Sequence, residues 1–463
     1  MRRLALALAL ALPACGSSSS SSPAGAPAPV TYARDAAADR LRATLGADGY
    51  DVDEGSVVFF QIADCAALPT CFGNNPSSPY GLYLVPPAPG EAPLPTDPPP
   101  FSKNGHVSGW RMRADEAIVF LGRTAPPARY LSFRSYLFSR AGKAIFASLG
   151  DSLNHLVLGT DAPPGGDAFD RETIVITTAD ATLDAHLRAR LAETGASGAM
   201  INTDVLPASE LTLGLDDASD VLTMLYRVAL VSDAAKAKAY FDAPPARLLR
   251  VRPRAERKAS PLAAPPPRTR GTGVDESAYA AGLDALGAAI KSAHPGAKSA
   301  ALGYVDLGLD GATCIGMLSS CNGDNSDTVY ETNLPIVLGD AAGERIVVYG
   351  VDHTAIGKAT YTTLGVYDVA RLLGVGGVAD EKLAGSAAPF FPAGDARAAS
   401  YFAYSFARSC DGEPFCFEVP VDPPGVSLAS QLAIVVRPYL EPATRSGPLK
   451  AELLLPRGLH LTP

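Results

Sequence analysis

Cys71-Phe-Gly73-Asn-Asn75-Pro-Ser-Ser-Pro-Tyr80 returns later in the chain as Cys321-Asn-Gly323-Asp-Asn325-Ser-Asp-Thr-Val-Tyr330. Cys, Gly, Asn and Tyr keep their offsets. Further matches follow in the same order. Glu116-Ala-Ile118-Val119-Phe-Leu-Gly122 answers to Glu344-Arg-Ile346-Val347-Val-Tyr-Gly350. Ala128-Arg-Tyr130 with Tyr136 answers to Ala359-Thr-Tyr361 with Tyr367, and Gly159 to Pro163 answers to Gly385 to Pro389. A single match of this length carries little, whereas several in one order mark a repeat. The first copy is longer between its first two blocks, and the proline-rich run Pro86–Pro100 supplies most of the excess.

Each copy opens with a helical pattern, over Tyr32–Leu45 and over Asp275–Ala293. In the second, Tyr279, Leu283, Leu286 and Ile290 share one face, and Pro295-Gly296 stops the helix. Strands are expected next, at Val57–Ile62 and Ala301–Asp306. The continuous apolar runs Ala117–Leu121 and Ile346–Tyr349 read as strands buried on both faces. Leu131, Phe133 and Leu137 alternate with Ser132, Arg134 and Tyr136, and Phe402, Tyr404 and Phe406 alternate likewise. Both patterns predict one buried face. The first copy has a second helix, with Leu183, Leu187 and Leu191 in one stripe and Gly195 as its stop. The expected fold is α+β: two tandem related domains, 31–253 and 274–463, each an N-terminal helix followed by a mostly antiparallel, sandwich-like sheet. Residues 254–273, rich in Pro and Arg, read as a linker. The basic cluster from Arg247 to Lys258 is expected to be solvated, with an acidic surface or phosphate headgroups as the alternative partner.

The N-terminus reads MRRLALALALALPACG. Two arginines, an apolar run from Leu4 to Leu12 and a short polar-small end form a secretory signal. Leu12-Pro13-Ala14-Cys15 resembles the lipobox of bacterial lipoproteins. That resemblance implies a signal peptide over 1–14, a diacylated Cys15, and a lipidated tether over 15–30. It also implies a cell-envelope location, and Gly16 in place of an Asp leans towards the outer membrane. The Ser-rich segment after Cys15 has the composition of a flexible tether. No later apolar run approaches the length of a membrane helix.

Setting Cys15 aside leaves six cysteines in three close pairs: Cys65 with Cys71, Cys314 with Cys321, and Cys410 with Cys416. In an oxidising compartment these read as disulfides. Zinc knuckles use closer spacing and a nearby second half-site, so metal is the weaker reading. A net charge of −9 argues against a nucleic-acid partner.

Chemistry is sparse. Gly150-Asp151-Ser152-Leu153 is similar to the GDSL block of a lipase and esterase family, which implies Ser152 as a nucleophile. That family also needs a late Asp-x-x-His, and the chain has none. His353, beside Asp352, lies where the second copy has gained length. The loop Asn322–Asp327 has gained Asp324 and Asp327. If both loops lie on one sheet edge, these four residues form a small site for a cation or polar ligand. No cofactor is expected. The expected function is a non-catalytic binding or structural lipoprotein of the envelope, partnered with the membrane through its lipid and with a ligand or envelope protein. An exported serine esterase acting through Ser152 is the alternative.

Overall fold

The computed structural model describes residues 30–65, 68, 70–94 and 101–463. The signal segment, Cys15 and most of the tether lie outside the described residues. The fold is mixed α/β, mostly antiparallel sheet with few helices.

Helix α1 (Arg34–Ala47) buries Ala37, Ala38, Leu41 and Leu45. Helix α2 (Ala181–Glu193) starts where the Asp180 side chain accepts the Thr182 N–H, and it buries Leu183, Leu187 and Leu191. It ends near Gly195 at φ +89°. Helix α3 (Ala280–Ala293) buries Leu283, Leu286 and Ile290. It begins later than its sequence suggests. The Asp275 carboxylate accepts the Ser277 N–H, and a single 3₁₀ turn, Ser277–Tyr279, precedes the α-helix.

The first part of the chain contributes β1 (Tyr50–Phe60), β2 (Tyr80–Leu84), β3 (Ala117–Arg123), β4 (Ala128–Arg140), β5 (Lys143–Ser148), β6 (Glu172–Thr178), β7 (Ile201–Val205), β8 (Val221–Val231) and β9 (Ala246–Pro253). The second contributes β10 (Lys298–Leu302), β11 (Tyr304–Asp306), β12 (Glu331–Asn333), β13 (Arg345–Val351), β14 (Tyr361–Asp368), β15 (Leu373–Ala379), β16 (Tyr401–Ala407), β17 (Cys416–Glu418), β18 (Gln431–Tyr439) and β19 (Arg457–Thr462). Two-residue strands are left unlabelled. The first set is ordered β7-β6-β3-β9-β1-β2-β8-β4-β5. The second is ordered β17-β16-β13-β19-β10 in one sheet and β11-β12-β18-β14-β15 in another. The two orders coincide strand for strand, with β10 and β11 together in the place of β1. In each set one pair is parallel, β6 with β7 and β16 with β17.

Strand β1 reaches further back than its apolar residues do. Its first half carries Asp51, Asp53 and Glu54, which hide the strand from a hydrophobicity reading. These acids meet Arg254, Arg252 and Arg247, on or just after β9. The expectation of a solvated basic cluster is therefore corrected for Arg247, Arg250 and Arg252, whereas Arg254, Arg257 and Lys258 are exposed as expected. Arg250 is fully buried between Glu91 and Glu116.

The expectation of one buried face on β4 and β16 is also corrected, because both faces are covered. Phe402 and Phe406 lie in one core with Leu364 of β14 and Ile434 of β18, while Tyr401 and Ala403 lie under α3. On β4, Leu131, Phe133 and Leu137 join Phe120 and Tyr226. Its polar side, Ser132, Arg134 and Tyr136, is buried as well. Tyr130 at the start of β4 touches Tyr361 and Tyr439 at 5.9 and 5.1 Å between ring centroids. Of the faces expected to meet water, that of β16 lies under α3, while that of β4 is covered by Asp204, which pairs with Arg134, and by the other half of the chain, where Tyr136 donates to Asp324 O.

The contact is made by two crossed arms. Cys65–Cys71, Cys314–Cys321 and Cys410–Cys416 are disulfides, with Cα separations of 5.6, 5.8 and 5.7 Å. Cys65 and Cys71 pack in the core of the second strand set, and Cys314 and Cys321 pack in that of the first. The Gly73 N–H donates to Leu372 O at 2.7 Å, and the Gly323 N–H to Phe146 O at 2.7 Å. Each arm thus pairs, backbone to backbone, with the opposite half.

Gly73 and Gly323 both hold positive φ, +67° and +68°, where an L side chain is strained. A Cβ at Gly73 would meet nothing within 4 Å, whereas one at Gly323 would lie 2.9 Å from the Phe146 ring. Gly73→Ala should cost about 1 kcal/mol, the backbone strain alone, and Gly323→Ala about 2–4 kcal/mol. Urea midpoints compare them. Equal costs would contradict this packing of the second arm.

Candidate functional site

Where the arms cross, two arginines stand at matched places. Arg227 on β8 pairs in register with Ser132, and Arg437 on β18 with Thr363. Each is nearly fully buried. The Arg227 guanidinium lies 5.6 Å from the Tyr80 ring centroid and 5.1 Å from that of Tyr136. That of Arg437 lies 5.0 and 5.2 Å from those of Tyr330 and Tyr367. Arg227 donates to the Tyr136 hydroxyl and, at 2.8 Å, to Gly323 O. Arg437 donates at 2.8 Å to Gly73 O. Each cation grips the glycine carbonyl of the other half's arm. The next arm residue also anchors across: Asn74 Oδ1 accepts the Gly374 N–H, and Asp324 Oδ1 accepts the Ser148 N–H.

A cavity of about 140 Å³ opens against this crossing. Its walls include Phe60, Phe72, Leu82, Phe138, Phe146 and Leu225, drawn from the first arm and from β1, β2, β4, β5 and β8, with Asn322 and Gly323 added by the second arm. Its polar lining includes Arg227, Arg437, Tyr80, Tyr330 and Tyr439, with Asn74, Ser108, Thr223 and Asn322. No Asp, Glu or His lines it among the described residues. Burial raises the Tyr80 and Tyr330 hydroxyls, so the phenols stay neutral beside two cations.

The residues that the sequence nominates lie elsewhere or serve the scaffold. Ser152 is buried and donates to Asp327. The only histidine close in sequence, His155, is driven down to about pKa 4 by burial and lies edge-on to Tyr130. Among the described residues no imidazole accepts the Ser152 proton, and they assemble no Ser-His-acid triad around it. Asp327 also accepts from the Tyr130 hydroxyl at 2.6 Å and Asn154 Nδ2 at 2.8 Å, and Asp324 accepts from the Ser148 hydroxyl. Both acids therefore pin the second arm to the first half.

Asp352 caps a turn through the Thr354 and Ala355 N–H groups, and His353 Nδ1 lies 2.6 Å from Glu276 Oε1. Among the described residues the Asp324/Asp327 pair and the Asp352/His353 pair share no hydrogen-bond partner. They form two structural knots instead of one solvent-facing site, because the loops are inserted into the protein and their acids meet its donors. Among the described residues no group of three or more His, Cys, Asp or Glu is placed to hold a metal ion.

Sequence reading passes over Arg227, Arg437, Glu276 and Glu331. A usable signal exists for the arginines: each is the only basic residue in its apolar strand, VLTMLYRVALV and QLAIVVRPY.

Glu331 is fully buried, and burial raises its carboxyl to about pKa 8, with Glu276 and Asp306 adding to the shift and His353 opposing it. His353 lies above its usual value: burial opposes its charge, but the hydrogen bond and charge of Glu276, its leading raising causes, help outweigh it. Between pH 4.5 and 8 the unfolded chain gives up the Glu331 proton while the folded chain keeps it. The imidazolium likewise favours the folded state until pH passes its raised pKa. Stability should therefore fall as pH rises from 5.5 to 8, by up to about 1.4 kcal/mol per pH unit for each such proton. Urea midpoints should show this slope, and Glu331→Gln should flatten it. Equal slopes in the two proteins would refute the assignment.

No family model matches the chain, and no curated protein matches it. Among solved structures, an uncharacterised protein from Burkholderia cenocepacia is similar at 14% identity and a TM-score of 0.40, over 92% of this chain and 86% of that one. The VPA0106 protein from Vibrio parahaemolyticus is similar at 11% identity and a TM-score of 0.35, over 77% of this chain and 87% of that one. Likenesses this distant carry no functional argument.

Proposed function

We propose that this chain is a lipid-anchored, non-catalytic binding protein of a bacterial cell envelope, and that its ligand occupies the pocket at the crossed arms. The scaffold is read as a tandem duplication of one sandwich-like α+β unit, 31–253 and 274–463, joined by 254–273. The coincident strand orders and the matched arginine, tyrosine and glycine positions support that reading. The lipobox and signal segment support the anchoring through Cys15, with the outer membrane favoured by Gly16.

One observation carries the binding role. The pocket is walled by aromatic and aliphatic side chains from both halves, and among its described lining residues there is no general base. Such a pocket suits binding better than bond cleavage. Its arms are clamped by disulfides and backbone bonds, so the walls are formed before a ligand arrives.

The neutral fluorophore N-phenylnaphthylamine should bind the lipid-free protein saturably at one site. Leu82→Trp, which fills the pocket, should abolish the signal without lowering the unfolding free energy measured in urea by more than about 1 kcal/mol. Unchanged binding in that variant would overturn the pocket assignment. Mass spectrometry of the membrane fraction should find a mature N-terminus at acylated Cys15, and an unmodified N-terminus elsewhere would overturn the anchoring. A fluorophosphonate should leave Ser152 unlabelled, and labelling there would revive the esterase reading.

A further inference from the structure

We infer that the pocket takes an amphiphile with an oxyanion head, carboxylate or phosphate, and that Arg437 binds the head. This rests on the reading of the pocket as a ligand site and names what enters it.

The two arginines are matched in position but not in partners. Arg227 uses two terminal nitrogens on the Tyr136 hydroxyl and Gly323 O. A carboxylate also stands near it: Asp324 belongs to the arm that Arg227 grips, and the guanidinium counters the burial that raises that carboxyl. The equivalent residue of the other arm is Asn74, which is neutral. Arg437 therefore lacks the nearby carboxylate that Arg227 has, and neither arginine forms an ion pair among the described residues.

Its hydrogen bonding is incomplete as well. A guanidinium has five N–H donors. Arg437 gives one, through Nη2, to Gly73 O. Its Nε is buried and has no partner among the described residues. Burying a cation in this state is unfavourable unless an acceptor arrives. Two oxygens of a carboxylate or phosphate match adjacent guanidinium donors side by side. The rings of Tyr330 and Tyr367 flank the guanidinium and limit its movement. No acid among the described lining residues would repel an anion, and the apolar walls from Phe60 to Leu225 suit a hydrocarbon tail. Head and tail requirements meet in one cavity.

Calorimetric titration of the intact, lipid-free protein with decanoate, decyl phosphate, decanol and decyltrimethylammonium tests this. Both anions should bind about 10- to 100-fold more tightly than decanol, and the cation more weakly than decanol. The order of the two anions identifies the preferred oxyanion. Arg437→Met should erase the preference while keeping decanol binding. If that variant fails to fold, the wild-type ranking still decides, together with loss of the decanoate preference once its carboxyl is protonated. Decanol binding as tightly as both anions would overturn the head-group inference and leave the pocket reading intact. Binding of none of the four would overturn both.

Discussion

Two buried guanidiniums, each holding the glycine carbonyl of an arm from the other half of the chain, are the constraint on which this structure depends. A buried cation is tolerated only when its surroundings replace water. Here the replacement comes from tyrosine faces on the same half and a carbonyl from the opposite one. The carbonyl is available only if the arm crosses over. Asp324 and Asp327 add carboxylates that are likewise satisfied by donors of the first half. The polar faces of two sheets are thereby converted into an interior.

The site follows from that crossing. The arms carry short disulfides and glycines at positive φ, and they project Phe72 and Gly323 towards Phe146 and Phe138. Crossing leaves a gap between the arms, lined by what the sheets and arms expose there, which is aromatic carbon and two cations. The same contacts that hold the halves together therefore shape the pocket.

Much of this was legible in the sequence, and the illegible part has one cause. The Cys-Gly-Asn-Tyr blocks announce themselves because turn geometry restricts residue choice, and the cysteine pairing follows from closeness along the chain. Helix stripes such as Leu183, Leu187 and Leu191 reflect burial against a single sheet. What periodicity misreads is any face buried against a distant part of the chain. Ser132, Arg134 and Tyr136 look outward by alternation, yet they are covered. Asp327 looks like a solvated loop acid, yet it is fully buried under Tyr130. His353 reads as part of a loop-edge site, yet it is buried against Glu276, a residue far away in sequence. Arg250 joins the same class, hidden by acids that sit far away in sequence.

The central claim is that the crossed arms make the two strand sets one cooperative body. Native-state hydrogen exchange on the intact chain measures this directly, through the amides of β4 and β8 on one side and β14 and β18 on the other. The account predicts that both groups exchange through a single global opening, with one free energy and one denaturant dependence. Two openings of different free energy, one for each strand set, would contradict it.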